Sequence, residues 1–276
     1  MYYLLLGMGL AGCYALKLRR GKPGKALGKK RTLPTLTIGV ITYNEEASIE
    51  RCLASCGMVN HQGILVVDSL STDKTVDLAR NTATVISNKF QDYASQRNLL
   101  IDSVSTDYIL MLDADEEITP ELAAGINAFL EREEIQGAYV NRRCIFNGQT
   151  LKYTFQPDRC LKLFRRRADR RYTGIVHETL TNMPAELPVL PGWLNHYSYK
   201  DVPHYFAKLN QYAELDGRKA HKHRSVYFLP LSALHGFLKF YFLKLGFLDG
   251  LNGLFFAIGH ALYLTLKGYY YIRYTS

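Results

Sequence analysis

Tyr108-Ile109-Leu110-Met111-Leu112-Asp113-Ala114-Asp115-Glu116-Glu117 is an apolar run that ends in closely spaced carboxylates, and Thr119-Pro120-Glu121 after it is a helix start. Such a run is a buried strand that delivers Asp113 and Asp115 to its open end. Carboxylates two apart at a strand terminus hold a hard divalent cation through oxygen. Mg²⁺ or Mn²⁺ held in this way keeps positions free for substrate phosphates, which suits a nucleoside-diphosphate leaving group. The same triplet also caps helices and decorates loops, so the surrounding pattern decides its meaning.

Outward from this stretch, strands and helices alternate. Residues 35–42 have the β-branched composition of a first buried strand, and Asn44-Glu45-Glu46 opens a helix to about Ser55. A second strand covers 64–68, a helix 75–81, a third strand 84–87 and a helix 93–102, which leads into the strand carrying Asp113. Units of this length imply right-handed crossovers. The expected fold is α/β, with a mixed, mainly parallel, Rossmann-like sheet and helices on both faces. Ligands of such sheets bind beyond the carboxyl ends of the strands, where the polar clusters 42–45, 68–73 and 113–116 lie. A helix from 120 to about 133 follows, then strands at 137–140 and 160–164 on the antiparallel, acceptor side of the sheet.

The chain has 276 residues, nearly half of them apolar, which is enough for one large α/β domain and an appendage. Its net charge of +9 is concentrated in a basic stretch from Lys17 to Arg31 that contains no acid, so the rest is nearly neutral. This stretch has no interleaved aromatic residues to stack bases, which argues against nucleic acid and for an anionic membrane surface or a solvated linker. The apolar segment before it is short of the ~20 residues that span a bilayer and lacks a cationic leader, and reads as an interfacial anchor or a marginal span. Cys13, Cys52, Cys56, Cys144 and Cys160 have no zinc-type spacing and read as reduced thiols. From Val226 the composition turns to Leu, Phe, Tyr and Gly with flanking lysines. That pattern suits amphipathic helices lying in a membrane interface, since Asp249 and His260 make a span of 245–266 costly. The expected organisation is an N-terminal apolar segment and basic linker (1–34), an α/β domain (35–200) and a helical, membrane-associated region (201–276).

Thr42-Tyr43-Asn44-Glu45-Glu46, Val67-Asp68-Ser69-Leu70-Ser71-Thr72-Asp73-Lys74-Thr75, Gln96-Arg97-Asn98 and Leu112-Asp113-Ala114-Asp115-Glu116, in that order, resemble the family 2 inverting glycosyltransferases of GT-A fold. The resemblance covers about 36–199. Pro157-Asp158-Arg159, Leu163-Phe164-Arg165-Arg166, Val176-His177-Glu178 and 249–254 are similar to a bacterial subgroup that adds glucose to the lipopolysaccharide inner core in β-1,4 linkage. Leu70 and Lys74 depart from the family, which favours glycine at the first and often has it at the second. The resemblance implies a UDP-sugar donor, Mn²⁺ or Mg²⁺, an anionic glycolipid or lipopolysaccharide-core acceptor, and a place at the cytoplasmic face of the inner membrane.

In those roles Asp115 is the leading metal ligand, and Asp113 contacts the ribose or a metal-bound water. Asp68 accepts from the nucleobase imide, Thr42, Asn44 and Glu45 line the base and ribose pocket, and Arg97 approaches the diphosphate or base. Inversion needs a base for the acceptor hydroxyl, and the candidates are Glu178 and then Asp158. His177 ligates the metal, bonds a phosphate or packs. Two cationic clusters, Arg165 to Arg171 and Arg218 to Arg224, are candidates to grip acceptor phosphates. Two other readings remain: a transferase acting on polyprenyl phosphate, and a sugar-nucleotide-binding membrane protein without catalysis.

Overall fold

The computed structural model describes residues 33–132, 135–174, 178–199, 201–218 and 229–275. The N-terminal apolar segment, nearly all of the basic linker, and Cys13 lie outside them. The elements are β1 (Leu36–Thr42), α1 (Ile49–Cys56), β2 (Gly63–Asp68), α2 (Thr75–Ala79), β3 (Thr84–Ser87), α3 (Tyr93–Asp102), β4 (Tyr108–Asp113), β5 (Glu116–Ile118) and α4 (Pro120–Leu130). They continue as β6 (Gly137–Phe146), β7 (Gln149–Thr150), β8 (Arg159–Arg165), β9 (Tyr172–Thr173), β10 (Thr179–Leu180), β11 (Val189–His196), α5 (Val202–Arg218), α6 (Leu229–Leu238) and α7 (Gly250–Thr275). A π-helical turn, Lys239–Leu243, and a 3₁₀ turn, Gly246–Asp249, join α6 to α7.

The main sheet has the order β3-β2-β1-β4-β8-β6-β11-β5, with β7 paired to β6. Its first half, β3-β2-β1-β4, is all parallel, and β8 enters antiparallel to both β4 and β6. The sheet is therefore mixed, as the alternating pattern predicts. β1 is buried along its whole length because it is central and covered on both faces. One apolar cluster joins Ile38, Val40, Leu110 and Leu112 to α1 and α4, and the other joins Ile41, Val67, Ile109 and Met111 to α3. Gly39 lets α3 approach closely: a Cβ there would lie 2.3 Å from Leu100 Cδ2.

Several bounds differ from the sequence reading. The first helix starts at Ile49, not Asn44, because 43–48 form a turn in which Asn44 takes φ 52° and its side-chain Oδ1 accepts from the Thr72 N–H at 2.8 Å. α4 ends at Leu130, short of 133, and β6 runs on to Phe146. β5 and β11 have no counterpart in the sequence reading. β5 is three residues long with glutamates at two of its positions, and β11 carries Pro191, Gly192 and a register shift, so neither has an alternating pattern.

The C-terminal helices dock on β6. Cys144, Phe146 and Leu151 cluster with Tyr205 and Leu209 of α5 and Phe256 of α7. Asp249 fixes the α6–α7 junction, accepting from the backbone N–H groups of Lys152, Tyr153 and Thr154 and from the Thr154 hydroxyl, at 2.7–3.1 Å. The carboxylate that would burden a membrane span is thus a clamp onto the loop after β7. Residues 246–275 form a helical stretch long and apolar enough to cross a bilayer. The opposite side of the junction is open: Leu243 is 77% exposed and Leu251 85%.

Leu70, where the resembled family favours glycine, takes the left-handed conformation at φ 64° and is half exposed. A left-handed leucine costs about 1–2 kcal/mol, whereas glycine adds roughly 0.5–1 kcal/mol of unfolded-chain entropy. Leu70→Gly should therefore raise stability by about 0.5–1 kcal/mol in urea unfolding. A destabilised variant would mean that the Leu70 side chain carries packing the strain argument omits.

Candidate active site

The carboxyl ends of β1, β2 and β4 open into a cleft of about 830 Å³. Ile41 to Glu45 line one wall, Asp113 to Asp115 the floor, Lys89, Phe90, Tyr93 and Gln96 the rim, and His204, Ala207, Lys208 and Gln211 of α5 the roof. Thr42, Asn44, Glu45, Asp113 and Asp115 therefore share one cavity. The Thr42 hydroxyl is enclosed at this wall without a protein partner among the described residues.

Asp113 at the end of β4 is held from two sides. One oxygen meets Arg97 Nη2 at 2.9 Å and the other Lys162 Nζ at 3.0 Å. Burial pushes its carboxyl up, but Lys162 and Arg97 outweigh burial and hold it well below the usual carboxylate range. Lys162, a β8 residue, also bonds Glu116 at 2.7 Å, and the Glu116 side chain is fully buried. Burial alone would lower the Lys162 ammonium, and the two carboxylates raise it instead. Glu116 accepts the Asp113 backbone N–H at 2.9 Å and pairs with Arg142, whose Nε reaches Asp158 at 2.8 Å.

Arg97 also meets Glu178, with Nη1 at 2.7 Å from Oε2. Glu178 Oε1 is buried and has no protein partner among the described residues. Both base candidates are thus ion-paired, Glu178 with Arg97 on the Asp113 side and Asp158 with Arg142 on the Glu116 side. His177 lies outside the described residues.

Asp115 takes a different partner. Its Oδ2 lies 3.3 Å from His196 Nε2 at the end of β11, and the Ser198 hydroxyl meets His196 Nδ1 at 2.8 Å. Burial alone would raise the Asp115 carboxyl, and His196 pulls it below its ordinary value. Among the described residues no three His, Cys, Asp or Glu side chains converge as a ready-made ligand set. Asp115 and His196 are still a suitable pair for a cation that takes its remaining ligands from phosphate and water. Asp113 suits direct coordination less well, because both of its oxygens already face cations.

Other residues depart from their expected places. Asp68 is buried, and its carboxylate accepts from the Ser71 N–H at 3.0 Å and the Ser71 hydroxyl at 2.5 Å. It is engaged in the 68–71 turn, and the next residue, Ser69, lines the cleft. The expectation that the Arg165–Arg171 cluster faces phosphate also needs correction. Arg170 is buried and donates to the Arg165 and Gln136 carbonyls, Arg171 pairs with Asp102, and Arg167 pairs with Asp169. In the second cluster Arg218 pairs with Glu214, and 219–224 lie outside the described residues.

Lys162, Arg142, His196 and Lys208 were missed by the sequence reading. His196 follows Trp193-Leu194-Asn195 in a strand that itself went unread. Lys162 interrupts the apolar strand Cys160-Leu161-Lys162-Leu163-Phe164, and a lysine inside such a run is the one signal that pointed to a buried carboxylate partner.

The model of glycosyl transferase family 2 matches residues 37–186. An uncharacterized glycosyltransferase of Rickettsia typhi is 26% identical over 230 residues, 78% of this chain and 78% of its own. The SPbeta prophage-derived glycosyltransferase SunS of Bacillus subtilis is 29% identical over 167 residues, 58% of this chain and 38% of its own. Among solved structures, glucosyl-3-phosphoglycerate synthase from Mycobacterium tuberculosis, in complex with Mn²⁺, UDP and glucosyl-3-phosphoglycerate, shares 24% identity. The match covers 41% of this chain and 44% of that one, with a TM-score of 0.35.

Removing one partner of a buried ion pair costs about 3–5 kcal/mol, since it strands the other charge. Lys162→Met should lose that much in chemical denaturation, and adding Glu116→Gln should restore part of it. A loss below about 1 kcal/mol would show that Glu116 is satisfied without Lys162.

Proposed function

The chain belongs to glycosyl transferase family 2, and on that premise we propose that it moves a hexose, glucose by the subgroup resemblance, from a UDP-sugar to an anionic glycolipid. The lipopolysaccharide core or a related glycolipid is the acceptor that resemblance favours. Transfer proceeds with inversion at the anomeric carbon. The observation that carries this reading is that Asp113 and Asp115 line one cleft and that Arg97 ties Glu178 to Asp113.

Thr42, Asn44 and Glu45 form the wall against which the nucleoside lies, and the Asp113 carboxylate, oriented by Arg97 and Lys162, is a fixed acceptor for a ribose hydroxyl. Asp115 and His196 would hold Mn²⁺ or Mg²⁺, which when bound offsets the charge that develops on the departing diphosphate. Lys208 lines the same cleft and adds a cation on the diphosphate side. The proton of the acceptor hydroxyl goes to Glu178. One of its oxygens is anchored by Arg97, and the other is enclosed with no protein partner among the described residues, which leaves a lone pair for that proton. Asp158, whose carboxylate is tied to Arg142, is the second candidate.

The chain works at the cytoplasmic face of the inner membrane, peripheral or monotopic. Exposed Leu231, Leu234, Leu243, Leu248 and Leu251 on α6, α7 and their junction supply the apolar surface for that contact, beside Lys239 and Lys244. A non-catalytic sugar-nucleotide-binding role is disfavoured by the cost of keeping so many charges in a cleft that does no chemistry.

Three measurements test the proposal. Glu178→Gln keeps a hydrogen-bond acceptor for Arg97 but is not a base, so turnover should fall by roughly 10²–10⁴ with the UDP dissociation constant unchanged; retained turnover would move the base to Asp158. In Asp115→Ala the extra thermal stabilisation that Mn²⁺ gives in the presence of UDP should disappear, and a full metal response would remove Asp115 from the ligand set. Leu243→Glu/Leu251→Glu should no longer float with phosphatidylglycerol vesicles, whereas flotation equal to wild type would place the membrane contact elsewhere.

A further inference from the structure

A second cavity, of about 380 Å³, lies between α5 and α7 and is closed by Phe155 and by Phe240 of the π-helical turn. α5 is the wall it shares with the donor cleft. Residues 204, 207, 208 and 211 face the cleft, residues 205, 208, 209 and 212 face the second cavity, and Lys208 lines both. Through Lys208 this cavity adjoins the cleft that Asp115 lines.

Its lining combines two chemistries. Tyr199, Tyr205 and Phe256 form an edge-to-face and tilted array with ring centroids 4.9–5.7 Å apart. The hydroxyls of Tyr199, Tyr205 and Tyr212 make no hydrogen bond to protein among the described residues, and Lys208 adds a cation that already donates to the Ser198 carbonyl at 3.0 Å. The carboxylate of Asp216 is taken by Tyr263 and Lys267, so it does not repel an anion. A hydrocarbon chain would cover the rings and leave those hydroxyls without partners, which is costly. A pyranose ring presents C–H groups, drawn to the negative face of an aromatic ring, and a rim of hydroxyls that pair with tyrosine hydroxyls and lysine. A volume near 380 Å³ is within the range of small-ligand sites.

We propose that this aromatic cavity is an acceptor subsite that binds a sugar ring of an anionic saccharide, with Lys208 at its border to the donor cleft. The assignment rests on the transfer reading above and adds where the acceptor lies and which of its parts is recognised.

The experiment is calorimetric titration of the full-length protein, saturated with UDP, with lipopolysaccharide inner-core oligosaccharide freed of its lipid. Leu209→Trp fills the cavity from α5, and Tyr199→Phe removes one hydroxyl while keeping its ring; neither residue lines the donor cleft. Wild type should bind. Leu209→Trp should weaken binding at least tenfold and Tyr199→Phe about threefold to tenfold, with the UDP-induced rise in melting temperature unchanged in both. Tyr199→Phe keeps the test open should Leu209→Trp fail to fold. Unchanged affinity in both variants overturns the proposal, as does a wild type that ignores the oligosaccharide. Binding of farnesyl phosphate in its place, lost in Leu209→Trp, overturns it in favour of a lipid chain. Oligosaccharide binding that the variants weaken, without any transfer from UDP-glucose by wild type, keeps the subsite and removes the proposed reaction.

Discussion

The middle of the molecule depends on a chain of alternating charges. Glu178, Arg97, Asp113, Lys162, Glu116, Arg142 and Asp158 follow one another at 2.7–3.3 Å. They come from α3, β4, β5, β6, β8 and the segments before β8 and β10, so this line of ion pairs crosses the sheet where its parallel half meets its antiparallel half. Each charge is expensive to bury alone and acceptable only between its neighbours. The β4–β8–β6 pairing is therefore favoured in one register, since a one-residue slip would turn Lys162 to the opposite face.

This constraint also prepares the site. Asp113 is held ionised and in place before any ligand arrives, so no reorganisation is needed for it to accept a hydrogen bond. Arg97 is the shared member. A guanidinium has five N–H donors, and here one goes to Asp113 and one to Glu178, leaving others for a diphosphate or acceptor oxygen. The same side chain can thus orient the donor side and the candidate base, which a lysine, a point charge without a planar fork, does less well.

The parallel half of the fold was legible because its signals are local. β3 and α3 have the bounds read from the sequence, 84–87 and 93–102, and α3 has the textual mark of its start in Asp92, whose side chain accepts from the Ser95 N–H at 2.6 Å. Asp113 and Asp115 were legible as the polar end of an apolar strand. Their partners were not: Lys162 is 49 residues from Asp113, Glu178 is 81 from Arg97, and His196 reaches Asp115 from a strand with an irregular pattern. Composition reports charge but not pairing, and so the arginines of 165–171 read as a solvated face or a phosphate grip when Arg170 is in fact buried among carbonyl groups. Leu70 was legible as a departure from glycine; that the backbone keeps the glycine-like conformation, at φ 64°, follows from the Asp68–Ser71 hydrogen bonds that close the turn.

α5 joins the catalytic half to the apolar C-terminal half. An amphipathic helix in a soluble domain has one buried stripe and one wet face, but α5 presents one face to the cleft and packs the other on α7, where Gly259 leaves room for the Tyr205 ring: a Cβ there would lie 1.9 Å from Tyr205 Oη. Substitutions that separate α5 from α7 therefore reach the roof of the donor cleft as well. α7 is in turn tied to the loop after β7 through Asp249, so the exposed apolar junction, the aromatic cavity and the carboxylates of the cleft are held by one continuous set of contacts within the compact unit that begins at Leu33. The exposed apolar surface at 243–251 is thereby positioned relative to the cleft by packing and by one carboxylate clamp, without any flexible tether among the described residues between Leu229 and Thr275.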